Sequence, residues 1–151
     1  WEEGELSDEV FADKVSELLQ SHNGTRGFLV ISMASNCPLM DRLPESLVGK
    51  LRAAGEIVVD LTVRNLAMST AMAIHHQRQK DIQRQSDSER VTARCRDLLR
   101  LLEPSQVKQR LEKLLAATKG VGDDQSFLEK WGYDNEQKAA IISSIYSVAE
   151  Q

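Results

Sequence analysis

Contiguous catalytic signatures are missing from this chain. It holds no GxSxG, GxGxxG, HExxH, P-loop or EF-hand pattern, so no hydrolase elbow, dinucleotide fingerprint, zinc-protease helix, phosphate cradle or calcium loop can be read from it. A site assembled from distant residues leaves no such trace, so the absence lowers the expectation of an enzyme without removing it. Cysteine is nearly absent. Cys37 and Cys95 lie far apart and match no CxxC spacing. They read as two reduced thiols of an intracellular protein, with a single disulfide as the alternative. No metal and no cofactor is expected.

Neither sign of charge dominates. The balance of 19 basic and 23 acidic residues gives a formal net charge of −4, which speaks against a dedicated nucleic-acid binder. The first residues, WEEGELSDE, are acidic and polar, the reverse of a secretion signal. A soluble, intracellular protein is expected, with a targeting segment upstream of Trp1 left open. One run, Ile57 to Ile74, has the length to span a bilayer. Asp60 and Arg64 in its middle would be costly there, so no membrane span is expected. Asn23-Gly24-Thr25 has the form of a glycosylation sequon but reads as a turn.

What is present points to helices. The expectation is a mainly α fold, a single helical domain over residues 1–151 with six or seven helices. These pack around a buried central helix at about 56–85, with at most one short strand pairing near 28–33. Ser7 can cap a first helix running to about Gln20, with Val10, Phe11, Val15, Leu18 and Leu19 on one face. Asn23 and Gly24 then suit a left-handed helix end. Gly27 to Met33 reads as a short buried strand, because it is β-branched and bounded by turn signals; a helix or an extended loop is the other reading. Asn36-Cys37-Pro38 and Leu43-Pro44 bracket a loop, and Pro44 opens a helix over 45–54.

The segment GEIVVDLTVRNLAMSTAMAIHH (55–76) is apolar on nearly every side if helical, as a buried helix is. Beyond it, 77–85 is polar and reads as an extension into solvent. Ser86-Asp87-Ser88-Glu89 has capping-box spacing and predicts a new helix start. Pro104 ends that helix and Ser105 can cap the next one. Gly120-Val121-Gly122 ends the latter, a short helix follows over 124–131, and Asp134 with Gln137 forms a second capping box for the last helix.

Candidate site residues fall in four groups. Asp60 and Arg64 are four apart, acid first, in the favourable order for a helical ion pair. With Asn65 they could line a polar pocket for an anionic ligand. The structural alternative is a partly buried pair that fixes the helix, in which case removing either partner would cost several kcal/mol through a stranded charge. Asn65 also sits on the seam Val58, Leu61, Met68, Met72, where one polar residue can set register or oligomeric state. His75 and His76 end the apolar run. Adjacent helical residues point about 100° apart and grip one metal poorly, and His22 is a third ligand that no spacing supports. Arg26, in the glycine-bearing turn, can hold an anion. Phe127, Trp131 and Tyr133 concentrate three of the seven aromatics in one corner and could form an interface, since Trp and Tyr are favoured anchors, or could simply be core.

The basic run Arg78, Lys80, Arg84, Arg90, Arg94, Arg96 and Arg100 has no interleaved aromatic, so it offers no stacking platform for bases and reads as a solvated face. The acidic first 20 residues could complement it within the molecule or across a dimer. The function expected is a non-catalytic protein-interaction or regulatory module, oligomeric, whose partner is another protein or a second copy. The alternative is a small-molecule-binding protein or enzyme with a polar pocket on the central helix, where Asp60 or His76 would act as acid–base group and Arg64 would hold an anion.

Overall fold

The computed structural model describes residues 8–34, 42–122 and 124–149. Every regular element among them is helical: α1 (Asp8–Leu18), α2 (His22–Ala34), α3 (Glu45–Ala53), α4 (Glu56–Arg78), α5 (Ile82–Leu101), α6 (Pro104–Thr118), α7 (Asp124–Lys130) and α8 (Asn135–Ala149). The mainly α expectation is met, with eight described helices in place of six or seven. The Ser7 cap, the Asn36–Pro38 loop and Cys37 lie outside the described residues.

The expected strand at 28–33 is a helix. Burial recurs every fourth residue at Thr25, Leu29 and Met33, while Ile31 is 73% exposed. A strand would bury 29, 31 and 33 together, so the apolar run of α2 is a helical stripe hidden by its β-branched residues. Gly24 is correspondingly not a left-handed helix end but part of the first turn of α2. A Cβ there would stand 2.1 Å from the Leu18 carbonyl oxygen. Glycine is needed because the chain packs on itself at the α1–α2 corner. Thr25 closes that corner by donating to the carbonyls of Ser21 at 2.8 Å and Leu19 at 3.3 Å.

α4 and α5 form the central antiparallel pair, and α2, α6 and α8 pack around them. One cluster of buried apolar side chains joins all eight helices. α4 is long and apolar enough to cross a membrane, yet over half of its apolar window is buried against other helices, as in the core helix of a soluble domain. Its polar residues are accommodated by hydrogen bonds. Thr62 and Thr70 bond back to the carbonyls of Val58 and Leu66, Ser69 meets Thr92 of α5 at 2.7 Å, and Thr70 meets Ser144 of α8 at 2.9 Å. Such hydroxyl pairs satisfy groups that would be costly if buried alone.

The central helix stops at Arg78, not near residue 85. Lys80 takes the left-handed conformation (φ 58), with Lys80 N–H on the Gln77 carbonyl and Asp81 N–H on the His76 carbonyl, the bonding of a Schellman end. Asp81 then caps α5 by accepting from the Arg84 N–H at 3.1 Å. The polar stretch 77–85 therefore holds the hairpin turn at 79–81 between the end of α4 and the start of α5, and Ser86–Glu89 lies inside α5 instead of starting it. Glu103, not Ser105, caps α6, accepting from the Ser105 N–H. The second capping box is present as read: Asp134 N–H to Gln137 Oε1 at 3.0 Å and Gln137 N–H to Asp134 Oδ1 at 2.9 Å.

Two members of the basic run, Arg94 and Arg100, do more than line a solvated face. Arg94 is buried and donates to the carbonyls of Ser32 and Met33 at the end of α2. Arg100 donates to those of Ser147 and Val148 at the end of α8, and Arg52 of α3 donates to Leu101 at the end of α5. Three guanidinium groups thus satisfy carbonyls that a helix cannot satisfy itself, at the end where the dipole favours a cation.

Candidate functional site

Asp60 and Arg64 are paired as the spacing predicts, at 3.6 Å, but the contact is open to solvent on both sides. The tighter partner of Asp60 comes from α6: Arg110 Nε donates to Asp60 Oδ1 at 2.8 Å. Arg110 also grips both carboxylate oxygens of Asp124, the first residue of α7, with Nη2 to Oδ1 at 3.0 Å and Nη1 to Oδ2. Arg110 is 9% exposed and Asp124 only 2%. This bidentate pairing is the strong geometry for a guanidinium and a carboxylate. One arginine therefore ties α4, α6 and α7 together, and neither it nor Asp124 stood out as a site residue in the sequence, since the partners lie 14 and 50 positions apart.

Fixing α7 beside α4 builds a recess of about 290 Å³ lined by Arg26, Leu61, Arg64, Asn65, Met68, Phe127, Lys130 and Trp131. Leu61, Arg64, Asn65 and Met68 fall on one face of α4 by helical spacing. Phe127, Lys130 and Trp131 come from α7 and the turn behind it, and Arg26 from α2. Five residues singled out from separate parts of the sequence (Arg26, Arg64, Asn65, Phe127 and Trp131) therefore share one recess. The Arg64 guanidinium stands over the Phe127 ring at 5.9 Å and the Lys130 ammonium over the Trp131 ring at 5.7 Å, within cation–π range. Trp131 is 51% exposed. Among the described residues the recess is lined by three cations and no acid, in a chain of net negative charge. Its donors can fix an anion and its rings can cover an apolar group.

The remaining candidates lie elsewhere. His75 and His76 pack edge to face with centroids 5.4 Å apart, about 22 Å along α4 from Asp60 at 1.5 Å per residue. Among the described residues no cluster of His, Cys, Asp and Glu could hold a metal, and of His22 only the backbone is described. Tyr133 is buried in the core cluster, where burial pushes its hydroxyl up to about 12. Burial likewise pushes the Cys95 thiol up to about 12, which leaves it an inert core residue. Arg78, beyond the histidines, pairs with Asp134 at 2.7 Å and Glu136 at 3.2 Å. The Arg78 guanidinium holds the Asp134 carboxyl below the usual carboxylate range. Two further concavities are present. A cleft of about 430 Å³ between α4 and α6 is lined by Glu56, Asp60, Gln109, Arg110 and Lys113 among others, and an apolar groove of about 470 Å³ runs between α5, α6 and α8.

A family model described as uncharacterised conserved protein UCP020893 matches residues 1–148. No curated protein and no solved structure matches the chain.

Proposed function

The chain belongs to the UCP020893 family, and we propose that it is a non-catalytic protein-interaction module that engages its partner through the recess between α2, α4 and α7. The observation that carries this reading is the convergence of Arg26, Arg64, Asn65, Phe127 and Trp131 on one partly exposed surface. Arginine and tryptophan are the residues that most often carry binding energy at protein interfaces. A half-exposed Trp131 with a lysine over its ring supplies a rigid apolar contact and a charge together. At about 290 Å³ the recess falls at the floor of the ~300–1,000 Å³ typical of pockets for whole small molecules, and suits an anchoring pair of residues of a larger partner.

Selection from a random peptide display library against the wild-type protein and an Arg64→Glu, Trp131→Ala variant tests the reading. Enriched peptides that bind wild type and lose the variant support it. Peptides that bind both equally place recognition elsewhere and refute it. Self-association is the case in which the partner is a second copy, and sedimentation velocity of the purified protein separates it from a foreign partner.

The alternative, a small-molecule site on the central helix, draws its support from the α4–α6 cleft, whose volume of about 430 Å³ lies within the usual ligand range. A native mass spectrum of the purified protein with extra mass attached would favour it.

A further inference from the structure

Resting on the interaction reading, we infer that the recess is built for an acidic peptide, and specifically for a carboxylate carried next to a bulky apolar side chain. The charge is one-sided. Among the described residues Arg26, Arg64 and Lys130 line the recess and no acid does. Arg26 has no ion-pair partner among the described residues, and the nearest acid to Arg64 is Asp60, 3.6 Å away and held more closely by Arg110 at 2.8 Å. Asp60 lines the neighbouring cleft and not the recess. The recess therefore keeps a net positive charge within a chain whose net charge is negative, a local field that draws in anions.

The anion is a carboxylate on an apolar stem. Phe127, Trp131, Leu61 and Met68 make half of the lining, so a dianionic phosphate would exchange water for hydrocarbon and ring edges on one side. A single carboxylate matches the planar fork of a guanidinium, which Arg64 carries 5.9 Å from the Phe127 ring, and Asn65 adds an amide donor. The adjoining apolar surface then takes the neighbouring side chain. The space accommodates one such residue pair, which points to a peptide segment and not to a free cofactor.

The test uses the full chain and two blocked peptides, acetyl-Glu-Leu-Phe-Glu-amide and its isostere acetyl-Gln-Leu-Phe-Gln-amide. Neither contains tryptophan, so Trp131 fluorescence reports binding, and a Trp131→Phe variant gives the background from Trp1. The acidic peptide is expected to shift the Trp131 emission and to bind at least about tenfold more tightly than the isostere, as the loss of charge-assisted bonds requires. Its affinity should weaken with rising salt and in Arg26→Gln and Arg64→Gln, whose unfolding midpoints should stay close to wild type. Equal binding of the two peptides, no Trp131 response to either at millimolar concentration, or displacement of the acidic peptide by a lower concentration of inorganic phosphate would overturn the inference. Recess-dependent peptides without acids from the display selection would sink the acidic specificity and leave the interaction reading standing. Recess-independent peptides would sink the interaction reading itself.

Discussion

Arg110→Met removes a guanidinium that serves two carboxylates, and the two losses are unequal. Asp124 is 2% exposed and has both oxygens on Arg110. Stranding it leaves an uncompensated buried charge, which costs about 3–5 kcal/mol. Asp60 is a third exposed and keeps Arg64 at 3.6 Å, so its loss adds little beyond the ~0–1 kcal/mol of an exposed pair. For a chain of this length each kcal/mol is worth about 2–4 °C, so the melting temperature should drop by about 6–20 °C. The double substitution Arg110→Met with Asp124→Leu removes both charges and should restore most of the loss, because apolar replacement of a buried pair is often neutral or better. Arg64→Ala, by contrast, breaks only the open pair and should cost less than about 1 kcal/mol. Urea unfolding followed by far-UV circular dichroism measures all four proteins. An Arg110→Met variant as stable as wild type, or an Arg64→Ala variant as damaged as Arg110→Met, would refute the reasoning. It would also remove the explanation of how α7 is held against α4 to form the recess.

Three further outcomes are expected. In α2, Leu29→Ala should cost about 2–5 kcal/mol as a core truncation, whereas Ile31→Lys should stay within about 0.5 kcal/mol; comparable losses in urea unfolding would favour a strand. Lys80→Gly should stabilise the protein by about 0.5–1 kcal/mol, because glycine enters the left-handed position at the end of α4 without a Cβ penalty, and an unchanged or lowered denaturation midpoint would contradict that conformation. Stability should also fall with rising alkalinity. Cys95 and Tyr133 hold their protons up to about 12 in the folded chain, so the unfolded chain releases them first, and the loss begins near the ordinary thiol value of about 9 and grows toward 12. Cys95→Ala should flatten that decline, and an identical decline in the variant would show that the thiol is not the cause.

The parts of the fold that could be read from sequence are those decided locally. The Asp134–Gln137 capping box, the Pro44 helix start, the Gly120 stop and the Asp60–Arg64 pair each depend on residues within one turn of each other. The rest depends on partners farther along the chain or on a conformation that the residue type does not announce. Gly24 looked like a turn residue because its packing against the Leu18 carbonyl is invisible in a pattern of letters. The α4–α5 turn was missed because Lys80 adopts the left-handed conformation that glycine usually announces. The Arg94, Arg100 and Arg52 contacts turn surface-looking charges into helix caps only after folding. The site is legible in its pieces: five of its lining residues stand out, but in three separate stretches of chain. Their assembly depends on α7, and α7 is positioned by Arg110, a residue that no local pattern marks.

The most direct measurement is calorimetric titration of one selected peptide into wild type and into Arg26→Ala, Arg64→Ala and Trp131→Ala, with the unfolding midpoint of each recorded alongside. If the recess is the recognition site, each substitution weakens binding by about tenfold or more, the scale of an interface anchor, while the midpoints stay near wild type. Affinities that do not change across the three variants would contradict the central claim.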